Sequence, residues 1–115
     1  MGERRLTLDV VPQSLVEEFG ARPGDHGLHY RSADPAASLI ELERISFPAG
    51  RKLSEESLRD LLPKMLSGFP IDPIDIRNAP QGMSLHHGMH RLRLSLALGY
   101  RLIPGHLWRP EDFAW

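Results

Sequence analysis

The sequence predicts a small α/β (α+β) protein of one domain, in which helices pack on a mixed sheet. Its 115 residues, 41% of them hydrophobic, are enough for one core and too few for two. Several stretches alternate apolar and polar residues, as strands do, and stretches with the spacing of a buried helical face separate them. These helical connections are too long for hairpins, so we expect strands of mixed direction.

The composition limits the classes of partner. Fourteen Lys and Arg residues stand against 15 Asp and Glu, for a net charge of −1. The chain therefore lacks the excess positive charge that draws proteins onto nucleic acid or anionic membranes, and sequence-specific DNA binding is not expected. The absence of Cys excludes disulfides, thiolate metal sites and a Cys nucleophile. With no long apolar run and no signal-peptide pattern at its polar start, we expect a cytoplasmic protein that does not enter a membrane.

Residues 1–37 are predicted to form an N-terminal extension. The alternation in residues 6–10 is a weak indication of a short edge strand. Residues 12–20 can form two helical turns that stop at a glycine. Residues 21–37 are rich in Gly and Pro and show little periodicity, so we expect a loop or a mobile arm there.

The predicted domain occupies residues 38–108 and begins with a strand over residues 39–45. A helix then starts at Ser54, a good cap that is followed by acidic residues in the first turn. Pro63 should kink or split this helix. Its buried face is predicted from five residues at helical spacing, which are Leu58, Leu61, Leu62, Met65 and Leu66.

The second half of the domain is predicted as strand, loop, helix and strand. Residues 71–76 form the strand, and the Asn, Pro and Gly of residues 78–82 end it. A helix without Gly or Pro runs over residues 89–98 and stops at Gly99. A last strand is expected within residues 100–107, and residues 109–115 are left as a C-terminal tail.

The corner before this last helix is typical of a phosphate-binding site. Gly88 directly precedes the helix start and lets an anion approach the backbone closely. The helix start itself offers unpaired N–H groups and the positive end of the helix dipole. His90 and Arg91 would add charge and forked donors at the same place.

Several stretches of the sequence match a known pattern together. They are residues 69–76, Gln81-Gly82, Gly88-Met89-His90-Arg91-Leu92, Ala97-Leu98-Gly99 and Ile103-Pro104. This set resembles the ParB/sulfiredoxin superfamily, and the resemblance covers residues 39–107. The variant Gly-x-His-Arg is closest to that of sulfiredoxin and of the ParB-like free-serine kinases.

The resemblance implies a nucleoside triphosphate, ATP or CTP, with its phosphates at the start of the last helix, together with Mg²⁺. It also implies phosphoryl transfer or nucleotide hydrolysis with a small-molecule or protein acceptor that the sequence does not name. The phosphate-binding residues would be Arg51, Gly88, Met89, His90 and Arg91. Glu43, Glu55 and Asp75, with Asp72 beside them, are the candidates for a catalytic or Mg²⁺-holding carboxylate.

Departures from the family pattern narrow the activity. Sulfiredoxin has Cys where this chain has Met89, so we expect no reduction of sulfinic acids. ParB has Gly-Glu-Arg-Arg and continues into DNA-binding and dimerisation domains, so a centromere-binding clamp is not expected either. The serine kinases use a Glu in the turn after the first strand, where this chain has Pro48-Ala49-Gly50-Arg51.

Alternatives remain open at this stage. Arg91 could form a structural ion pair with Asp72 or Asp75. His86, His87 and His90 could form a zinc site, although Gly88 interrupts a regular helix through all three, and we expect no metal there. The domain could also be a non-catalytic ParB-like module that senses a nucleotide or contacts DNA or a partner.

Overall fold

In the computed structural model, which describes residues 7, 8 and 10–112, most strands join into one mixed sheet. The strands are β1 (Thr7–Leu8), β2 (Ser38–Glu41), β3 (Ile45–Ser46), β4 (Leu53–Ser54), β5 (Ile74–Ala79), β6 (Gly82–His87) and β7 (Leu102–Trp108). The helices are α1 (Gln13–Glu18), α2 (Glu55–Leu66) and α3 (Met89–Ala97), with 3₁₀ turns at Leu42–Arg44 and Pro110–Asp112.

The five-stranded sheet has the order β2-β7-β5-β6-β3. Pairing is antiparallel between β2 and β7 and between β5 and β6, and parallel between β7 and β5 and between β6 and β3. A separate antiparallel pair joins β1 to β4. The predicted mixed sheet with helices packed on it is therefore confirmed.

A single hydrophobic core lies between this sheet and the helices. Ile74 and Ile76 of the central strand β5 are fully buried, as alternation on one face requires. The predicted apolar face of α2 is confirmed, because Leu58, Leu62 and Met65 are buried and the other two predicted residues pack against the core. No helix in the described part of the chain is long and apolar enough to cross a membrane.

The strand predicted over residues 39–45 is wrong in one respect, since the chain breaks it with a 3₁₀ turn at Leu42–Arg44. Its two halves, β2 and β3, lie on opposite edges of the sheet. The buried residues explain the break: Ile40 and Leu42 are two apart, whereas Leu42 and Ile45 are three apart, and three is the period of a 3₁₀ turn.

The loop predicted at residues 78–82 is also wrong, because the chain forms a hairpin there. β5 continues to Ala79, and Ala79 pairs with Gly82, so the connection is only the two residues Pro80 and Gln81. Strand β6, which follows, was predicted as loop up to His87. The Pro and Gly that end a strand also make a tight turn, and the pattern alone does not separate the two outcomes. Ile71 lies outside β5 and makes an isolated bridge to Ser32.

Helix α2 runs continuously through Pro63, so of the two predicted outcomes, a kink or a split, the split is wrong. Pro63 lies in the last turns of the helix and is exposed, as is Arg59, whose carbonyl would accept the N–H that proline lacks. Water can satisfy an exposed carbonyl, which lowers the cost of the missing bond. Ser67 and Phe69 donate to carbonyls of Pro63 and Lys64 and close the C-terminal end.

Residues 21–37 have no regular helix or strand, as predicted, but they are bound to the rest of the fold. Gly24 donates a backbone hydrogen bond to Leu98, and Leu28 accepts bonds from residues 101 and 102. Ala21 and Tyr30 belong to the core. The prediction of an edge strand in residues 6–10 is met by β1, while residues 6 and 9 lie outside the described residues, as do residues 113–115 of the tail.

Candidate functional site

Gly88 connects β6 to α3 in a conformation that only glycine adopts without strain. Its φ is 116°, and it stands at the N-cap of α3. A side-chain carbon at this position would overlap Cγ2 and Cβ of Ile74. The position therefore requires glycine for two reasons, and the helix start is held directly against the core.

The start of α3 has no side-chain cap. A helix leaves its first N–H groups without intrahelical acceptors, and here they belong to Met89, His90 and Arg91. Leu92 is the next residue and donates to the carbonyl of Gly88 within the helix. Uncapped N–H groups and the positive end of the helix dipole together favour an anion at this place.

The start of α2 lies beside the start of α3. The backbone N–H of Ser54, the N-cap of α2, donates to Nε2 of His90 over 2.9 Å. The Ser54 side chain in turn accepts from the N–H of Ser57 and caps α2. Two positive helix ends therefore meet at the His90–Ser54 hydrogen bond, which strengthens the preference for an anion.

His90 is neutral in this arrangement. Its Nε2 accepts a hydrogen bond, so the ring carries its proton on Nδ1. Burial lowers the pKa of His90 below its ordinary value, and the positive charge of Arg91 lowers it further. His90 was expected to bring positive charge to the phosphates, and the geometry disfavours this. The neutral residue instead joins the two helix starts.

Arg91 contacts backbone carbonyls rather than carboxylates. Its Nη1 donates to the carbonyl of Asp72 over 2.9 Å and to that of Pro73 over 2.8 Å. The structure therefore does not support the alternative in which Arg91 forms an ion pair with Asp72 or Asp75. Both bonds leave from Nη1, and neither Nε nor Nη2 of Arg91 has a hydrogen bond to any residue that the structure describes.

Met89 and Arg51 are the other predicted phosphate-binding residues. The Met89 side chain is buried in the core, so only its backbone N–H is available to a ligand. Arg51 is exposed and lies three residues before Ser54. Strands β3 and β6 run parallel, so the turn that follows β3 and contains Arg51 lies at the same end of the sheet as Gly88.

Two of the three predicted catalytic carboxylates are not available at this corner, because Glu43 is distant from it and Glu55 is paired. Glu43 lies in the 3₁₀ turn next to Leu42, whose N–H donates to Arg101 beyond the C-terminal end of α3. That is the far end of a nine-residue helix, ~13 Å from its start. Glu55 follows Ser54 and is close to the corner, but its carboxylate pairs with Arg59 over 3.2 Å.

Asp75, the third candidate, lies in a row of polar side chains across three strands. Trp108 donates from Nε1 to Oδ1 of Asp75 over 2.8 Å. His87 approaches Asp75 from β6 at 3.8 Å, and His106 approaches it from β7 at 3.7 Å. Asp75 alternates with the buried Ile74 and Ile76, so its side chain is on the other face of the sheet from the helices.

The zinc alternative for His86, His87 and His90 is not supported, because His90 is bonded to Ser54 and the other two rings contact each other at 4.3 Å. Within the described part of the chain, no group of three or more His, Cys, Asp or Glu residues could hold a metal ion.

Two residues contribute to the corner although the sequence does not place them there. Ser54 was identified only as a helix cap, and its contact with His90 spans 36 residues. Tyr30, placed in the extension, donates from its hydroxyl to the carbonyl of Asp72 over 2.8 Å. A lone Tyr in a Gly- and Pro-rich segment is a hint of anchoring to the domain, but no local pattern names its acceptor.

Solved structures with a similar fold include a sulfiredoxin and a chromosome-partitioning protein. A sulfiredoxin from Arabidopsis thaliana has a TM-score of 0.55 and 22% identity, covering 65% of this chain and 86% of that one. A C-terminally truncated chromosome-partitioning protein ParB from Caulobacter crescentus, complexed with CTP-gamma-S, has a TM-score of 0.53 and 20% identity. That match covers 64% of this chain and 44% of ParB, so the chain spans less than half of that relative.

Sequence comparison adds nothing to this likeness, because no protein-family model matches the chain and no characterised protein matches it in sequence. At such low identities, the two structures establish the fold and leave the activity to the geometry of the site.

Proposed function

Because this chain has a ParB/sulfiredoxin-like fold, we propose that it binds a nucleoside triphosphate, ATP or CTP, with the phosphates at the start of α3. The proposed activity is phosphoryl transfer or nucleotide hydrolysis. The observation that carries the proposal is the uncapped start of α3 at Gly88, joined to the start of α2 by the Ser54–His90 hydrogen bond.

The chemistry of this corner suits phosphate oxygens. Three backbone N–H groups and two helix dipoles supply partial positive charge without a mobile side chain. Arg91 is anchored through Nη1, which leaves its Nε and Nη2 groups for a charged acceptor. Arg51, in the exposed turn at the same end of the sheet, would add a second positive charge.

Mg²⁺ would enter with the nucleotide, because this ion is usually held by phosphates, water and only one or two carboxylates. Bound there, it would neutralise charge on the phosphates. Of the candidate carboxylates, Asp75 is the one whose register partner, His87, directly precedes Gly88. The Asp75 side chain is, however, on the face of the sheet away from the helices, so Glu55, which follows Ser54 at the corner, is our first choice for the catalytic or Mg²⁺-holding group if its pairing with Arg59 opens.

A second candidate function is that of a non-catalytic nucleotide-sensing module. The engagement of the carboxylates supports it, since Glu55 is paired with Arg59 and Asp75 accepts from Trp108. The ParB relative is complexed with CTP-gamma-S, which supports CTP as the nucleotide that such a module would bind. A module would bind the triphosphate at the same corner and release no product.

Calorimetric titration with ATP, CTP and GTP in the presence of Mg²⁺ tests the proposal. Arg91→Ala should lower nucleotide affinity about tenfold to a hundredfold, because it removes a charge-assisted contact. Arg91→Lys keeps the charge and loses the fork, so its affinity should fall between those of Ala and the wild type.

Arg101→Ala is the matched control. It removes the same charge from an exposed residue beyond the far end of α3 and should leave affinity unchanged. Failure of the wild type to bind any of the three nucleotides, or equal affinity in all four proteins, would refute the proposed site. Phosphorus NMR of the same mixtures, without an acceptor and with free serine added, separates the two candidates: turnover to diphosphate supports an enzyme, and binding without turnover in both mixtures supports the module.

A further inference from the structure

We infer that Tyr30 is a positioning residue for Arg91, to which it is joined through the shared carbonyl of Asp72. This inference rests on the proposed function, because it assigns Tyr30 to the same phosphate site. Residues 21–37, which the sequence presents as an extension, would then contribute a positioning residue to that site.

Tyr30 and Arg91 donate to the same acceptor, the carbonyl oxygen of Asp72. The Tyr30 hydroxyl donates to the Asp72 carbonyl oxygen over 2.8 Å, and Nη1 of Arg91 donates to the same oxygen over 2.9 Å. A carbonyl oxygen has two lone pairs, so these two bonds satisfy it. The neighbouring Pro73 carbonyl accepts a second bond from Nη1 at 2.8 Å. The three contacts fix both the peptide and the guanidinium plane.

Tyr30 can act this way because its ring is immobile. The residue is 1% exposed and belongs to the core, so the hydroxyl has one position and one acceptor among the described residues. Burial also raises the pKa of Tyr30 above its ordinary value, which keeps the hydroxyl protonated and donating. The chain on both sides of Tyr30 is fixed: Leu28 accepts backbone hydrogen bonds from residues 101 and 102, and Arg31 and Ala33 exchange backbone hydrogen bonds with Ile71.

The consequence concerns the other donors of Arg91. A phosphate would meet Nε and Nη2, and the direction of these groups depends on where Nη1 is held. Without the Tyr30 hydroxyl, the Asp72 peptide can rotate toward other partners, and Arg91 loses part of its anchor. A guanidinium that must be ordered on binding gives weaker affinity than one that is already oriented.

Tyr30→Phe tests the inference with the smallest change, since it keeps the buried ring and removes the hydroxyl alone. We expect nucleotide affinity to fall about threefold to tenfold, the effect of one neutral hydrogen bond. Tyr100→Phe is the matched control, because Tyr100 is also buried but follows the C-terminal end of α3. Its affinity should equal that of the wild type when each protein is titrated well below its melting temperature.

The Nε–H signal of Arg91 in nitrogen NMR gives a readout that a purely structural role of Tyr30 would not change. The signal is assigned by its loss in Arg91→Lys. In the protein without nucleotide, Tyr30→Phe should shift this signal and speed its exchange with water, and Tyr100→Phe should do neither.

The outcomes separate this inference from the proposed function. If the wild type binds no nucleotide, the proposed function fails; the Arg91 signal then still decides whether Tyr30 orients the guanidinium. If the wild type binds and Arg91→Ala does not, while Tyr30→Phe matches the wild type in affinity and in the Arg91 signal, the inference alone is overturned. A lower melting temperature of Tyr30→Phe with an unchanged Arg91 signal would also overturn it.

Discussion

His90 accepts a hydrogen bond through Nε2, and this contact sets its protonation state. A protonated ring would place an N–H against the N–H of Ser54, so the imidazolium is incompatible with the bond. Burial and the nearby Arg91 act in the same direction and lower the pKa. The residue is thus a neutral link between two helix starts, and acid should break the link.

The pH dependence of stability tests this role. Because the folded state holds the pKa of His90 below 6.5, the unfolded state binds the proton more readily in that range. The free energy of unfolding should therefore rise as the pH rises toward about 6.5 and level off above it. Melting curves of the wild type and His90→Gln from about pH 5 to about pH 8 measure the effect. Gln keeps a neutral acceptor, so an identical pH dependence in both proteins would contradict the assignment.

Gly88 gives the second prediction at this scale. Gly88→Ala should lower the free energy of unfolding by about 1–3 kcal/mol from backbone strain, with a further loss from overlap with Ile74. Gly82→Ala is the control, since Gly82 also has a positive φ, 138°, and open space around it. Denaturant titration gives the free energy of unfolding of both variants, and the difference between their losses measures the cost of the overlap with Ile74. Equal losses in the two variants would mean that the contact with Ile74 is relieved at little cost.

At the scale of elements, the start of α2 has two separable functions in one residue. The Ser54 side chain caps α2 by accepting from Ser57, and the Ser54 backbone holds His90 of α3. A substitution of the side chain should therefore weaken one helix and leave the link between the helices in place.

Ser54→Ala should lower the free energy of unfolding by about 0.5–2 kcal/mol, the usual effect of removing an N-cap. The ring nitrogen shifts of His90 should stay unchanged, because the donor to His90 is the backbone N–H. Ser67→Ala, at the C-terminal end of the same helix, is the control and should have little effect. Changed His90 shifts in Ser54→Ala would show that the two functions are not separable.

At the scale of the whole molecule, contacts with the rest of the fold attach residues 21–37 to it. Tyr30 reaches Asp72, and Asp34 accepts a hydrogen bond from His106 of β7 at 2.7 Å, which lowers the pKa of Asp34. Backbone hydrogen bonds run in both directions between this segment and the domain. The segment should therefore open only together with the body.

Amide hydrogen exchange checks this expectation. Protection should be comparable to that of the central strand β5 at four amides that link the segment to the body, those of Gly24, Ala33, Arg101 and Leu102. The amide of Gly50, in an exposed turn, serves as a reference for rapid exchange. If the four amides exchange as fast as Gly50, the segment is a mobile arm, and Tyr30 cannot position Arg91.

Much of the fold was predictable, because it depends on local patterns. The apolar spacing in α2, the run of helix formers in α3 and the glycines at both ends of α3 gave these helices within about one residue. The hairpin of β5 and β6 was not predictable, since Pro80 can end a strand or turn it back. The division of residues 39–45 between the two edges of the sheet depends on pairing with β7 and β6, which lie far along the chain.

The sequence by itself determined the helix start at Gly88 and the residues at that corner, because a glycine before an amphipathic run specifies a cap within four residues. Only the tertiary structure decided what those residues contact. His90 and Ser54, Arg91 and Asp72, and Tyr30 and Asp72 are 36, 19 and 42 residues apart. Such partners depend on how the sheet brings distant segments together, and no local spacing carries that information. The tertiary structure likewise decided where the candidate carboxylates Glu43, Glu55 and Asp75 lie. The sequence offers all three as equal candidates, and the fold places them at different ends or on different faces.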